Sequence, residues 1–141
     1  MEKLPKQFVY PVILVMLLDF SFTMIGQPPS YWTNFNNLNE GSPIGVNLLS
    51  INPLYFLIFC AIYLSIMILL IRKLPLIPGA ILALSLFLGH SYGSGSWVDL
   101  LLHKAGFGLG NFSQWYSTIG YFVLLSIISV LMVTKAKKPQ P

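Results

Sequence analysis

Residues 53–75 read PLYFLIFCAIYLSIMILLIRKLP. No charged side chain interrupts the run from Pro53 to Ile71, and Arg72-Lys73 then stops it. A helix of roughly 20 apolar residues rises about 30 Å, the thickness of a bilayer's hydrocarbon core. The stretch predicts a membrane-crossing helix over 53–71, and three runs of the same kind lie around it.

The first is 8–26, broken by Asp19, Ser21 and Thr23, with Pro11 in its first turn, where a missing backbone donor costs little. Lys3 and Lys6 precede it, as in a signal peptide. The run is long, however, and Gly26-Gln27-Pro28-Pro29 follows with no small-x-small cleavage site, so it reads as an uncleaved first span. The third run, 76–92, begins after Pro75 and is at the short end for spanning. The fourth, 114–134, follows Ser113 as an N-cap and is closed by Lys135, Lys137 and Lys138. The expected fold is all-α: a single membrane domain over 1–141, a polytopic bundle of four transmembrane helices.

Composition points the same way. Of 141 residues, 55% are hydrophobic and 9% charged, against about 25% charged in a soluble domain. The net charge of +4 marks topology more than a binding patch, because the bases sit at the ends of apolar runs. No basic stripe interleaved with aromatics is present, which excludes nucleic acid as a partner. Cys60, the single cysteine, lies inside an apolar run with no Cys or His at metal-ligand spacing and reads as a small hydrophobe.

Seven of the eight basic residues fall at the N-terminus, in the 72–75 connection or at the C-terminus; Lys104 is the exception. The positive-inside rule puts those three regions in the cytoplasm and the protein in a cell (inner) membrane with both termini cytoplasmic. Tyr31, Trp32, Trp97, Trp115 and Tyr116 fall at the opposite boundary and read as an interfacial aromatic belt.

The outer connections, 27–52 and 93–113, are more than linkers. Ser42-Pro43 is a helix start ahead of an apolar stretch, 44–50, too short to span. Ser96 precedes 97–105, Asp99 completes a Ser-x-x-acid box, and Gly106 is a stop. Two short interfacial helices on the outer side are expected, with Gly93-Ser94-Gly95-Ser96 as a hinge before the second. Asn111-Phe112-Ser113 fits a glycosylation sequon, but it abuts the membrane and no sugar is expected there.

Ionisable residues inside hydrocarbon are costly, about 2.5–3.5 kcal/mol on insertion scales, and so mark function by default. Asp19 lies about 10 Å below the outer end of span one, with Thr23 and Gly26 on its face. That face must look into the bundle, where Asp19 is a chemical group or a hydrogen-bonding one that joins helices. His90, near the outer end of span three, shares a stripe with Gly79 and Ala83, beside Ser85 and Gly89, all small enough for close helix packing. Asp19 and His90 are the candidate catalytic residues, and Asp19 is expected close to His90 or to a polar side chain of an outer helix, not facing lipid. Asp99 and His103, at i and i+4, could share a site, and Glu40 could reach it. Asp19, Glu40, His90, Asp99 and His103 together form a candidate set for a divalent metal.

The series Asp19, Thr23, then Asn39-Glu40-x-x-Pro43 before a second span resembles a group of uncharacterised small bacterial membrane proteins. Those carry Asp and Thr in span one and an acid–Asn–Pro signature opening the next helix. The resemblance covers the first half of the chain and departs in the motif, where Asn and Glu are reversed and the proline is displaced. It implies a four-span fold and a role for Asp19 and Glu40, with no reaction to carry over.

Small size and packing stripes (Gly120, Ser126 and Ser129 on span four) favour a non-enzymatic subunit or accessory protein, packed against other membrane proteins, a second copy or lipid. The alternatives are an enzyme with an outer-leaflet metal or acid–base site acting on a lipid or peptide, and an oligomeric channel or transporter.

Overall fold

The computed structural model describes residues 2–107 and 113–135, with the backbone alone for Ser113 and Gln114. It is all-helical among these residues. Five α-helices follow in order: α1 (Val9–Ile25), α2 (Pro43–Ile51), α3 (Pro53–Lys73), α4 (Leu76–Lys104) and α5 (Ser113–Lys135). Single 3-10 turns sit at Lys6–Phe8 and Pro29–Trp32. The helices containing α1, α3, α4 and α5 are each long and apolar enough to cross a membrane.

Local chemistry explains the tightest connection. Arg72 and Lys73 close the last turn of α3, where cations favour the carbonyl end of a helix. Leu74 is extended, as a residue before proline prefers, and Pro75 opens α4. The N-terminal segment docks on this turn through a bridge between Lys3 and Pro75, with Leu76 N–H donating to the Glu2 carbonyl at 2.8 Å. At the other end Lys104 Nζ donates to the Gly26 carbonyl at 3.2 Å. The start and finish of α1 therefore lie beside those of α4, so the two helices run parallel, with α3 and α5 antiparallel to them.

Two clusters make the core. Val9, Val12, Met16, Ile71, Ala83 and Leu86 pack at the end that holds the N-terminus and the α3–α4 turn. Tyr31, Leu49, Phe56 and Cys60 pack at the other, under α2, and Phe20 touches both clusters. The outside is apolar: Ile62, Ile81, Ile119 and Val130 are all more than half exposed, a surface that suits lipid and would associate in water.

The α2 helix forms as its sequence predicts, with Ser42 Oγ accepting from Gly45 N–H at 3.1 Å as N-cap. The second short helix does not exist as a separate element. The expected span 76–92 and the expected second short helix belong to one helix, α4, which ends at Lys104 with Ala105 as its C-cap and is about 43 Å long at 1.5 Å per residue. Ser96 is no cap: its hydroxyl donates back to the Gly93 carbonyl at 2.7 Å, and Ser94 donates to the His90 carbonyl at 2.6 Å. Packing overrides the poor helix propensity of Gly-Ser-Gly-Ser, because Gly93 and Gly95 lie against Asp19 and Tyr121. The stop at Gly106 holds: its φ is +83°, and Gly106 and Phe107 N–H donate to the His103 and Leu102 carbonyls.

Further sequence expectations are corrected. Trp97 and Tyr31 are buried, not part of an interfacial belt; Trp97 packs over Gly26, and Tyr31 donates its hydroxyl to the Leu49 carbonyl at 3.0 Å. Burial pushes that Tyr31 hydroxyl above the ordinary tyrosine pKa. Trp32, Trp115 and Tyr116 are exposed. Ser85 and Gly89 are exposed rather than packed, as are Gly120 and Ser126, while Ser129 is half-buried. The Asn111-Phe112 part of the sequon, the Ser113 cap, and Lys137 and Lys138 lie outside the described residues or side chains.

Candidate functional site

An acid placed mid-helix in an apolar segment must find a polar partner or a proton. Asp19 finds His90. Its Oδ2 lies 2.7 Å from His90 Nδ1, across the packed faces of α1 and α4, with the side chains 18% and 15% exposed. An ionised Asp19 accepts from Nδ1–H, which fixes the ring's tautomer and leaves Nε2 as its second nitrogen.

The surrounding residues hold this geometry. Phe20 meets the His90 ring edge-on at 5.5 Å and 83°, and Tyr63 flanks it at 6.0 Å. Thr23, one turn beyond Asp19, is buried, so the helix face carrying both looks inward. Opposite lies Gly93, where a Cβ would sit 2.6 Å from Asp19 Oδ1. Gly93 is thus required by the close approach of α4 to the carboxylate; it is not the hinge that its Gly-Ser context suggests.

The pair stands on the wall of a cavity of about 790 Å³, within the roughly 300–1,000 Å³ of small-molecule sites. Asn39 to Gly45 roof it, and α3 and α4 form its sides. Ser85, Gly89, Tyr92 and Ser96 on α4, with Phe59 on α3, line it and are also exposed. The cavity therefore opens on the flank of the bundle, where α3 and α4 diverge from their tight turn.

Of the five residues expected to share a site, the structure brings together Asp19 and His90 in contact and Glu40 on the same cavity. Glu40 Oε1 accepts from Gly41 and Ser42 N–H at 2.9 and 2.7 Å. Asp99 turns away toward α5 and accepts from Ser117 Oγ at 2.7 Å. His103 is exposed and lines no part of the cavity. The five-residue metal set is not assembled: among the described residues, no three His, Cys, Asp or Glu side chains converge as ligands. Asp99 and His103 share a helix face, but Asp99 bonds to Ser117 while His103 is exposed, and neither is among the cavity-lining residues, which on this part of α4 are Trp97 and Leu100.

Sequence reasoning missed Cys60, Phe56 and Phe59 as cavity residues, since their role depends on the splay between α3 and α4. A signal for Gly93 was present: it lies three residues after His90, on the helix face that must meet Asp19. Comparison with protein-family models, curated proteins and solved structures finds no match to this chain.

Proposed function

We propose that this chain is a non-enzymatic accessory protein of a cell membrane that holds an amphipathic molecule in its side-opening cavity. Both termini face the cytoplasm in this reading, and the Asp19–His90 pair grips the ligand's polar group. One observation carries it: a hydrogen-bonded acid–imidazole pair in the apolar part of the helices stands on the wall of a cavity open at the flank. A bilayer would present acyl chains to that flank, so a lipid-like molecule could enter sideways and keep its tail in hydrocarbon. Among the described residues this cavity brings together two carboxylates and an imidazole, the richest concentration of polar chemistry there.

A second reading, an acid–base enzyme on a lipid, is favoured by the same contact, because a carboxylate that orients an imidazole can serve as a general base. Both readings share one test. The wild-type chain and an Asp19→Asn/His90→Gln variant are extracted in native membrane discs, and the retained molecules are identified by mass spectrometry. A single amphiphile enriched with the wild type and depleted at least severalfold with the variant is expected. Equal lipid profiles from the two would contradict the proposal. A chemically altered amphiphile appearing with the wild type alone would favour the enzyme.

A further inference from the structure

Resting on that reading, we infer that the polar group this cavity takes is an ammonium, a primary or quaternary amine, on an amphipathic molecule. The argument begins with charge. Among the described residues, Asp19 and Glu40 are the carboxylates of the lining, His90 is its one imidazole, and no Lys or Arg lines it. Acidic groups thus outnumber the basic one in the lining. Lys104, the base on this end of the described bundle, directs its ammonium to the Gly26 carbonyl instead.

The anion-binding capacity of the roof is also largely used up. The start of α2 overlooks the cavity, and free N–H groups there would attract a phosphate. Three of those in and before the first turn are taken: Glu40 Oε1 accepts from the Gly41 and Ser42 N–H groups, and Ser42 Oγ from that of Gly45, while Pro43 has none. A phosphate entering here would meet a carboxylate where it needs donors.

The walls supply what a cation wants. Phe20, Phe56, Phe59, Tyr63, Tyr92 and Trp97 line the cavity. Phe59 and Tyr63 stack at 5.9 Å with an interplanar angle of 5°, and Phe20 meets both Phe56 and Tyr63 at steep angles. Aromatic faces attract cations within about 6 Å of the ring centre, most strongly where water is excluded, and boxes of them recognise quaternary ammonium groups. Aromatic walls, two acids and largely occupied roof donors together select an ammonium over a phosphate or sulfate. The flank opening selects one that carries an alkyl chain.

The test uses the full chain, with Trp32→Phe and Trp115→Phe, reconstituted in neutral-detergent micelles. Trp97 is then the only tryptophan and reports on the cavity. Dodecyltrimethylammonium, dodecyl sulfate and chain-free tetramethylammonium are titrated separately. Saturable Trp97 quenching by dodecyltrimethylammonium alone is expected, weakened about tenfold by Glu40→Gln or by Phe59→Leu, as loss of roughly 1.4 kcal/mol implies. Phe59 is partly exposed, so Phe59→Leu separates lost recognition from lost folding. Saturation by dodecyl sulfate and not by the ammonium would overturn this inference and leave the amphiphile reading standing. Saturation by neither amphiphile would overturn both. Equal saturation by tetramethylammonium would uphold ammonium recognition and assign it to a free ion, against the lipid-like source.

Discussion

Asp19 and His90 lie 71 positions apart, yet their contact is what their separate contexts predict. Each interrupts an apolar run, each lies in the outer half of its span, and each has small residues on its face. Energetics favours such groups meeting a polar partner, and here each is the other's. The rest of the site was not legible, and the reasons differ by residue. Glu40 was suspected from its place in the chain, but its bonds to Gly41 and Ser42 depend on how the loop folds. Asp99 and His103 matched a spacing rule and nothing more; Asp99 stands on the α5-facing side of α4, where it meets Ser117, and not on the side that lines the cavity. Gly93 offers a sharp check. Gly93→Ala drives a methyl into the Asp19 carboxylate, and overpacking of this kind costs about 1–3 kcal/mol. Gly120→Ala, where nothing lies within 4 Å, is expected to be neutral or to stabilise α5 by up to about 1 kcal/mol. Thermal unfolding in the same detergent compares them. Equal effects of the two would remove the close approach of α4 to Asp19.

At the scale of elements, the apolar runs read well and the breaks between them did not. Spans one, two and four match α1, α3 and α5 to within two residues at each end. Ser42-Pro43 marked α2 because a cap acts through its own neighbours. Ser96 carried the same local signature and failed, because Gly93, Ser94 and Gly95 pack against α1 and α5 and keep the helix going. Local chemistry proposes a boundary; tertiary contact decides it. The continuity of α4 is measurable with spin labels at the exposed positions Leu88 and Leu102. An unbroken helix places them about 21 Å apart with a narrow distribution, from 14 steps of 1.5 Å. A broad distribution, or one centred several ångströms away, would restore a break at 93–96.

At the scale of the molecule, the splay of α3 from α4 turns four helices into a container. The tight turn at Leu74-Pro75 holds them together at one end, and α2 is inserted over the gap at the other. Nothing in the apolar pattern of either helix encodes that gap, which is why the cavity was not foreseen while its two polar residues were. The orientation we propose places the α3–α4 turn in the cytoplasm and the cavity roof outside. In a Cys60→Ala background, an impermeant maleimide added to intact cells is expected to label Asn37→Cys and to spare Lys73→Cys. Labelling of Lys73→Cys alone would invert the protein. The most direct test of the central claim uses its two histidines, His90 and His103. Nitrogen-15 solid-state NMR of histidine-labelled protein in bilayers is expected to show one ring with a short Nδ1–carboxylate hydrogen bond and one open to solvent. Asp19→Asn should abolish the first signature, and dodecyltrimethylammonium should shift it, with the second ring unchanged in both experiments. Two solvent-like histidines, indifferent to Asp19→Asn and to the amphiphile, would contradict the account.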